Sequence, residues 1–129
     1  MKKIPKKNKK YPLVTVITPT HNRVCFLEET ILSVLNQDYG NIEYIVLDDG
    51  STDDTARVMK KFKERIVWKF HKNMGEIRTV NRGFNLAHGE IITVVNSDDP
   101  LLHGAISESV KFMIDNPNVI VVYPDWMKI

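Results

Sequence analysis

Two pairs of adjacent carboxylates, Asp48-Asp49 and Asp98-Asp99, each close a short apolar run. Burying one unpaired carboxylate is costly, and setting two side by side adds repulsion. Such a pair at the end of a strand holds a divalent cation or sits in water and caps the next helix. As ligands, the hard oxygens of Asp98 and Asp99 suit magnesium or manganese, with diphosphate oxygens and water completing the shell. As structure, Asp99 before Pro100 resembles a helix N-cap followed by proline at the first helical position. Asp48 and Asp49 could accept hydrogen bonds from a nucleobase or ribose. They could equally build an Asx-turn, with Asp53 capping the following helix. Arg78, with His21 and Arg23, could face phosphates, although an arginine on a helix surface is more often simply solvated. His71, His88 and His103 lack the spacing of a zinc site and read as surface residues. No neighbour in the sequence marks Cys25 as an activated nucleophile.

The elements that must position these residues alternate. Leu13 to Ile17 is a β-branched apolar run closed by Thr18-Pro19-Thr20, and Asn22 reads as the N-cap of a helix whose Leu27, Ile31 and Leu35 share a face. A second strand spans Asn41 to Leu47, and Ser51 with Asp54 has capping-box spacing ahead of a helix carrying Thr55, Met59 and Phe62. Ile66 to Phe70 is a third strand. Ile77, Val80, Phe84 and Ala87 form a helical stripe beside a polar row of Arg78, Asn81 and Asn85, and Gly89 is placed to stop that helix. Glu90 to Val95 is a fourth strand, Ile106, Val110 and Met113 mark a fourth helix ending near Asn116-Pro117, and Val119 to Tyr123 reads as a fifth strand. Alternation of this kind predicts an α/β fold, a mostly parallel sheet flanked by helices. Ligands of such sheets bind beyond the carboxyl ends of the strands. The loops there are Thr18 to Arg23, Asp48 to Asp54, His71 to Gly75 and Asn96 to Pro100, and their convergence is the strongest functional signal in the chain.

Composition narrows the classes. A chain of 129 residues with 43% hydrophobic residues suits one domain with a real core. The formal charge of +2 includes six lysines in the first ten residues, so the remainder is net acidic and is no obvious nucleic-acid binder. Residues 1–11 are expected to form a disordered basic arm, more often simply solvated than in contact with anionic lipid, and 12–129 the domain proper. No signal peptide or apolar stretch of membrane-spanning length is visible, and one cysteine excludes an internal disulfide. The expected setting is the cytoplasm, peripheral at most to the inner membrane face. The chain carries neither a Gly-x-Gly-x-x-Gly nor a Walker-type loop. A receiver domain would place its acidic pair after the first strand, which here ends in Thr18-Pro19-Thr20.

Taken in order, Val14-Thr15-Val16-Ile17-Thr18-Pro19-Thr20-His21-Asn22-Arg23, Val46-Leu47-Asp48-Asp49-Gly50-Ser51-Thr52-Asp53, Asn73-Met74-Gly75, Asn81-Arg82-Gly83 with Ala87-His88-Gly89-Glu90, and Asn96-Ser97-Asp98-Asp99 resemble the family 2 glycosyltransferases of the GT-A fold. Each stretch is weak alone, but five in register from about Pro12 onward are specific. The resemblance implies a Rossmann-like, GT-A nucleotide-binding half that binds a nucleotide-sugar, with UDP the commonest nucleotide. The first strand's loop (Pro19, His21) and Asp49, with Asp48, would hold base and ribose. Ser97-Asp98-Asp99 would be the DXD-type motif, Asp99 ligating Mn2+ or Mg2+ and Asp98 touching the ribose or sharing the metal. Arg78 would approach the nucleotide, while Asn81 and Gly83 would shape the helix. Thr79-Val80-Asn81 stands where relatives often have Ala-Arg-Asn, so the basic contact from that helix is open.

The implied reaction is metal-dependent, inverting transfer of the sugar to the hydroxyl of an unidentified glycan, lipid or protein acceptor. The general base belongs to the acceptor-binding half and is expected downstream of Ile129. The domain is therefore expected to be incomplete at its C-terminus and inactive unaided, with an exposed sheet edge that favours self-association. The competing reading is a non-catalytic nucleotide-binding module, or a plain interaction domain, that works with a partner chain.

Overall fold

The computed structural model describes residues 11–123. Four strands, β1 (Val14–Thr20), β2 (Ile42–Asp49), β3 (Val67–His71) and β4 (Ile91–Val94), form one parallel sheet in the order β3-β2-β1-β4. They alternate with α1 (Val24–Leu35), α2 (Thr55–Phe62), α3 (Glu76–Leu86) and α4 (Ala105–Asp115). The expected Rossmann-like parallel sheet with flanking helices is present. Tyr11 is tied to it, since its carbonyl accepts from Asn41 Nδ2 and its ring lies 6.4 Å from that of Tyr39. Among the described residues no helix is long and apolar enough to cross a membrane.

Strand alternation divides the core between two faces. Val14, Val16, Tyr44 and Val46 point toward α1, α2 and α4 and meet Leu27, Ile31, Val58, Met59, Ile106 and Val110. Ile17, Ile45 and Leu47 point the other way and are covered by α3 through Leu86. Central β1 runs on through Thr18-Pro19-Thr20, beyond the expected end of the strand. Proline is tolerated there for a geometric reason. The Ile17 carbonyl accepts from the Val95 N–H on the β4 side, and the β1–β4 register stops at Ile17↔Val94. Two residues on, the missing N–H of Pro19 falls on that same side, past the end of its neighbour.

Several sequence expectations fail on contact geometry. The Ile77-Val80-Phe84 stripe of α3 does not face the sheet. Ile77 is 79% exposed and Phe84 46%, while Thr79 and Gly83 are buried. A Cβ at Gly83 would come within 2.6 Å of Ile17 Cγ2, so α3 lies too close to β1 for large side chains between them. Gly89 does not stop α3, which ends at Leu86. It packs against the backbone of Thr15 and donates to Thr15 Oγ1 at 2.8 Å. Val119 to Tyr123 forms no strand. The chain passes the apolar groove between β4 and α4, lined by Ile91, Leu101, Ile106 and Ile120, without pairing. The strands β3 and β4 are each displaced or trimmed by a residue from their expected bounds.

Candidate functional site

All four strand ends converge on one cleft of about 450 Å3, lined by Pro19 and Thr20 at the end of β1 with His21 and Arg23 just past it, Asp49 at the end of β2, Asn73, Gly75 and Glu76 around the β3–α3 turn, and Asn96, Ser97 and Asp98 after β4. Of the residues expected to bind, Pro19, His21, Asp49 and Asp98 line it together. Asp48, Arg78 and Asp99 are not part of the lining.

Asp49 is the fixed point. It is 4% exposed, and its carboxylate accepts from the Met74 N–H (2.7 Å), the Gly75 N–H (3.1 Å) and His71 Nε2 (3.1 Å). Burial pushes this carboxyl up. The two backbone donors, first of all, and His71 outweigh that and hold it below the usual carboxylate range. His71 is thus no bystander. Arg82 donates to its Nδ1 at 2.6 Å, and because a guanidinium can only donate, Nδ1 accepts and Nε2 carries the proton. Nε2 also approaches Thr79 Oγ1, whose own hydrogen goes to the Gly75 carbonyl at 2.8 Å. The Asp49 carbonyl fixes His21 in the same way. It accepts from Nδ1 at 2.8 Å, which leaves Nε2 as an acceptor beside the cleft. Asn73 Nδ2 donates to that carbonyl too, at 3.2 Å. Gly50 makes this crowding feasible: its φ is +72° and a Cβ would stand 2.6 Å from Asn73 N.

Asp48, 1% exposed, turns to the other face and accepts from the Ser51 N–H at 2.9 Å, the Asx-turn alternative. The cap assignments also change. Asn22 is not the N-cap of α1, a position held by Arg23. It adopts φ +51° and its Oδ1 accepts from the Thr52 and Asp53 N–H groups. Ser51 and Asp54 form no capping box, because Ser51 Oγ accepts from the Asn22 N–H. Asp53 does the capping for two helices. One oxygen takes the Val24 N–H at the start of α1, and the other takes the N–H and hydroxyl of Thr55 at the start of α2. Burial raises the Asp53 carboxyl, and these donors reverse the shift to below its ordinary value.

The acidic turn is held by α1. Thr30 Oγ1 donates to the Ser97 carbonyl at 2.9 Å, Ser33 Oγ accepts from the Leu101 N–H at 2.9 Å, and Gln37 bridges the Leu102 carbonyl and the Ile106 N–H. The Asp99 N–H closes a turn on the Asn96 carbonyl at 3.1 Å, which exposes the side chains of Asp98 and Asp99. Asp99 caps no helix: α4 begins at Ala105, with Gly104 as its N-cap. Arg23 Nε lies 3.8 Å from Asp98 Oδ2 across the cleft. Thr20 Oγ1 is buried in the cleft wall with no hydrogen-bond partner. Sequence reading places Thr20, Asn73 and Ser97 in the strand-end loops, Ser97 within the acidic motif, and it misses Glu76 as a lining residue. Asn73-Met74-Gly75 did signal itself as a motif, but its work is done by backbone N–H groups, which residue types do not reveal.

Comparison with known proteins follows the same lines. An uncharacterized glycosyltransferase of Haemophilus influenzae is 38% identical over 109 residues, covering 81% of this chain and 44% of that protein. A GalNAc(5)-diNAcBac-PP-undecaprenol beta-1,3-glucosyltransferase of Campylobacter jejuni is 42% identical over 101 residues, covering 74% of this chain and 33% of that one. Among solved structures, the mannosyltransferase PcManGT of Pyrobaculum calidifontis, in complex with GDP-Man and Mn2+, superposes with a TM-score of 0.72 at 27% identity over 82% of this chain and 33% of its own. The TarS protein of S. aureus, in complex with UDP-GlcNAc, gives 0.71 at 27% identity, over 81% and 32%. The chain thus spans less than half the length of these relatives. Residues 15–125 match the model of Glycosyl transferase family 2, and with these four convergent loops on a GT-A-like sheet the chain belongs to that family.

Proposed function

We propose that the cleft binds a nucleotide-sugar, a UDP-sugar first of all, and that the chain contributes the donor-binding half of a glycosyltransferase. One observation carries this reading. The sheet brings a pinned, ionised carboxylate (Asp49) and an acid-bearing turn (Asp98, Asp99) to opposite sides of the β1 end, around a single cleft. Base and ribose lie against Asp49, Pro19 and His21, and the diphosphate lies toward Asp98. Asp48 supports this site through its turn. Arg78, outside the lining, contributes charge at most.

A divalent cation, Mn2+ or Mg2+, fits the residues only as a shared ligand. Among the described residues no group of three or more His, Cys, Asp or Glu could hold one. Asp99 and Asp98 are exposed, uncommitted to any helix cap, and would hold it together with donor phosphates and water. When bound, it supplies neutralisation of the charge that develops on the leaving diphosphate. The chemistry we assign is inverting transfer: an acceptor hydroxyl attacks the anomeric carbon, the bond to the diphosphate oxygen breaks, and a general base takes the hydroxyl proton. No cleft residue is assigned as that base, which we place downstream of Ile129. The acceptor is a glycan, lipid or protein hydroxyl. The cytoplasmic setting and self-association along the open sheet edge belong to the same proposal, whereas the lysine-rich residues 1–10 lie outside the described residues.

Backbone NMR of the chain titrated with UDP and Mg2+ tests the site. Shifts are expected in residues 18–23, 48–54, 71–76 and 96–99. Shifts confined to the groove between β4 and α4 would overturn the assignment.

A further inference from the structure

We infer that Arg23 is the residue that grips the donor's diphosphate, and that its contact with Asp98 is the resting position it leaves to do so. The inference rests on the donor-site reading above and adds a residue and a movement to it.

The charge inventory of the cleft comes first. Asp49, Glu76 and Asp98 line it, and among the described residues that do so Arg23 is the one Lys or Arg. A diphosphate entering this cleft meets these three carboxylates, and the Arg23 guanidinium is the lining's own means of offsetting them. The other candidate arginines are elsewhere. Arg78 is exposed on α3 outside the lining, and Arg82 is committed to His71 Nδ1.

Position agrees with charge. Asp49 ends β2 and Asp98 follows β4, with β1 between them. Two strand spacings separate the two sides, roughly 10 Å. A nucleotide whose base meets Asp49 must carry its diphosphate across the end of β1 to reach the Asp98 side. Arg23 stands just past that end. Its backbone is immobilised as the N-cap of α1, where its carbonyl accepts from the Phe26 and Leu27 N–H groups at 3.0 Å each. The side chain takes no part in that cap and swings from a fixed base.

Arg23 is also available. Its contact with Asp98 is a single long approach, 3.8 Å from Nε, between two side chains that are each about half exposed. Pairs of this kind hold weakly. A diphosphate offers the guanidinium fork two parallel, charge-assisted hydrogen bonds instead. Moving to it also frees the Asp98 oxygens for ribose or cation, so the ligand-free pairing and the ligand-bound site exclude one another.

The test compares ligands that differ only in the diphosphate. The full chain, wild type, Arg23→Gln and Arg23→Lys, is titrated by NMR in Mg2+ with UDP and with uridine, and with GDP and guanosine as the second base. Arg23→Gln is expected to weaken the diphosphate at least tenfold and leave the nucleoside unchanged, with Arg23→Lys between. An unchanged melting temperature shows that the α1 cap survives. Equal weakening of diphosphate and nucleoside would make Arg23 a prop for the β1–α1 corner and overturn the inference, as would no weakening at all. If the wild type bound none of the four ligands, the donor-site reading itself would fall and take this inference with it. Wild-type binding with an indifferent Arg23→Gln would sink the inference alone.

Discussion

Asp53 and Asp99 look alike in the sequence, each an acid in an Asp-rich loop before a helix, and they have opposite fates. Asp53 holds the first turns of two helices, while Asp99 is exposed and caps neither α4 nor any other element. Asp53→Ala should therefore cost about 1–2 kcal/mol in chemical denaturation, the size of a lost N-cap or slightly more. Asp99→Ala should change stability by less than about 0.5 kcal/mol, as surface substitutions do, while removing metal-dependent nucleotide binding. A stability loss at Asp99 with binding intact would return it to the helix-cap role. Acid sensitivity follows from the same residues. Burial raises Asp49, Asp53 and also Glu43, which accepts from the Thr15 hydroxyl and the His88 N–H, and the donors outweigh burial to give a net depression in each. A carboxyl depressed in the folded state contributes stability that is present above its unfolded pKa, about 4, and lost as pH falls through the folded value. Melting temperature should hold from pH 7 to about 5 and drop below about 4, with a shallower drop in Asp53→Asn. An equally steep drop in that variant would contradict the assignment of the Asp53 shift.

At the scale of elements, α1 and α3 show what residue patterns conceal. Thr30 and Ser33 on α1, with Gln37 just past its end, dock the acidic turn and the start of α4 onto that helix. A hydrogen bond to a carbonyl 67 residues away leaves no local trace. In α3 the periodicity is genuine but selects the wrong face. Pattern reading weighs large apolar side chains, whereas this helix reaches β1 through Gly83 and a buried Thr79. Gly83→Ala should be destabilising by about 1–3 kcal/mol through overpacking against Ile17. An unchanged midpoint in denaturant would show that α3 can step back from the sheet at no cost. The parallel order and the convergence of loops were legible because strand-end chemistry and alternation are local. The absence of a fifth strand was not, because β-branched composition at Val119 to Val122 describes only a capacity to pair, and that segment passes beside β4 without pairing.

For the whole molecule, the open question is the outer edge of β4. Val95 donates toward β1, so by alternation the Val94 N–H points away from it, along an edge that among the described residues has no partner strand. Val94 is itself 39% exposed. If that edge drives association, sedimentation should show concentration-dependent dimers, and Val94→Pro should abolish them, since proline removes only the outward donor. A wild type that stays monomeric throughout would contradict the edge as an interface. Family membership is a property of the whole chain, read over residues 15–125, but the donor site is a claim about one cleft. Calorimetric titration of UDP into the chain tests that claim most directly, first with Mn2+ and then with EDTA, and with GDP as the second nucleotide. Manganese-dependent binding that disappears in EDTA is the predicted result. A folded chain that binds neither nucleotide with Mn2+, or binds equally well in EDTA, would contradict it.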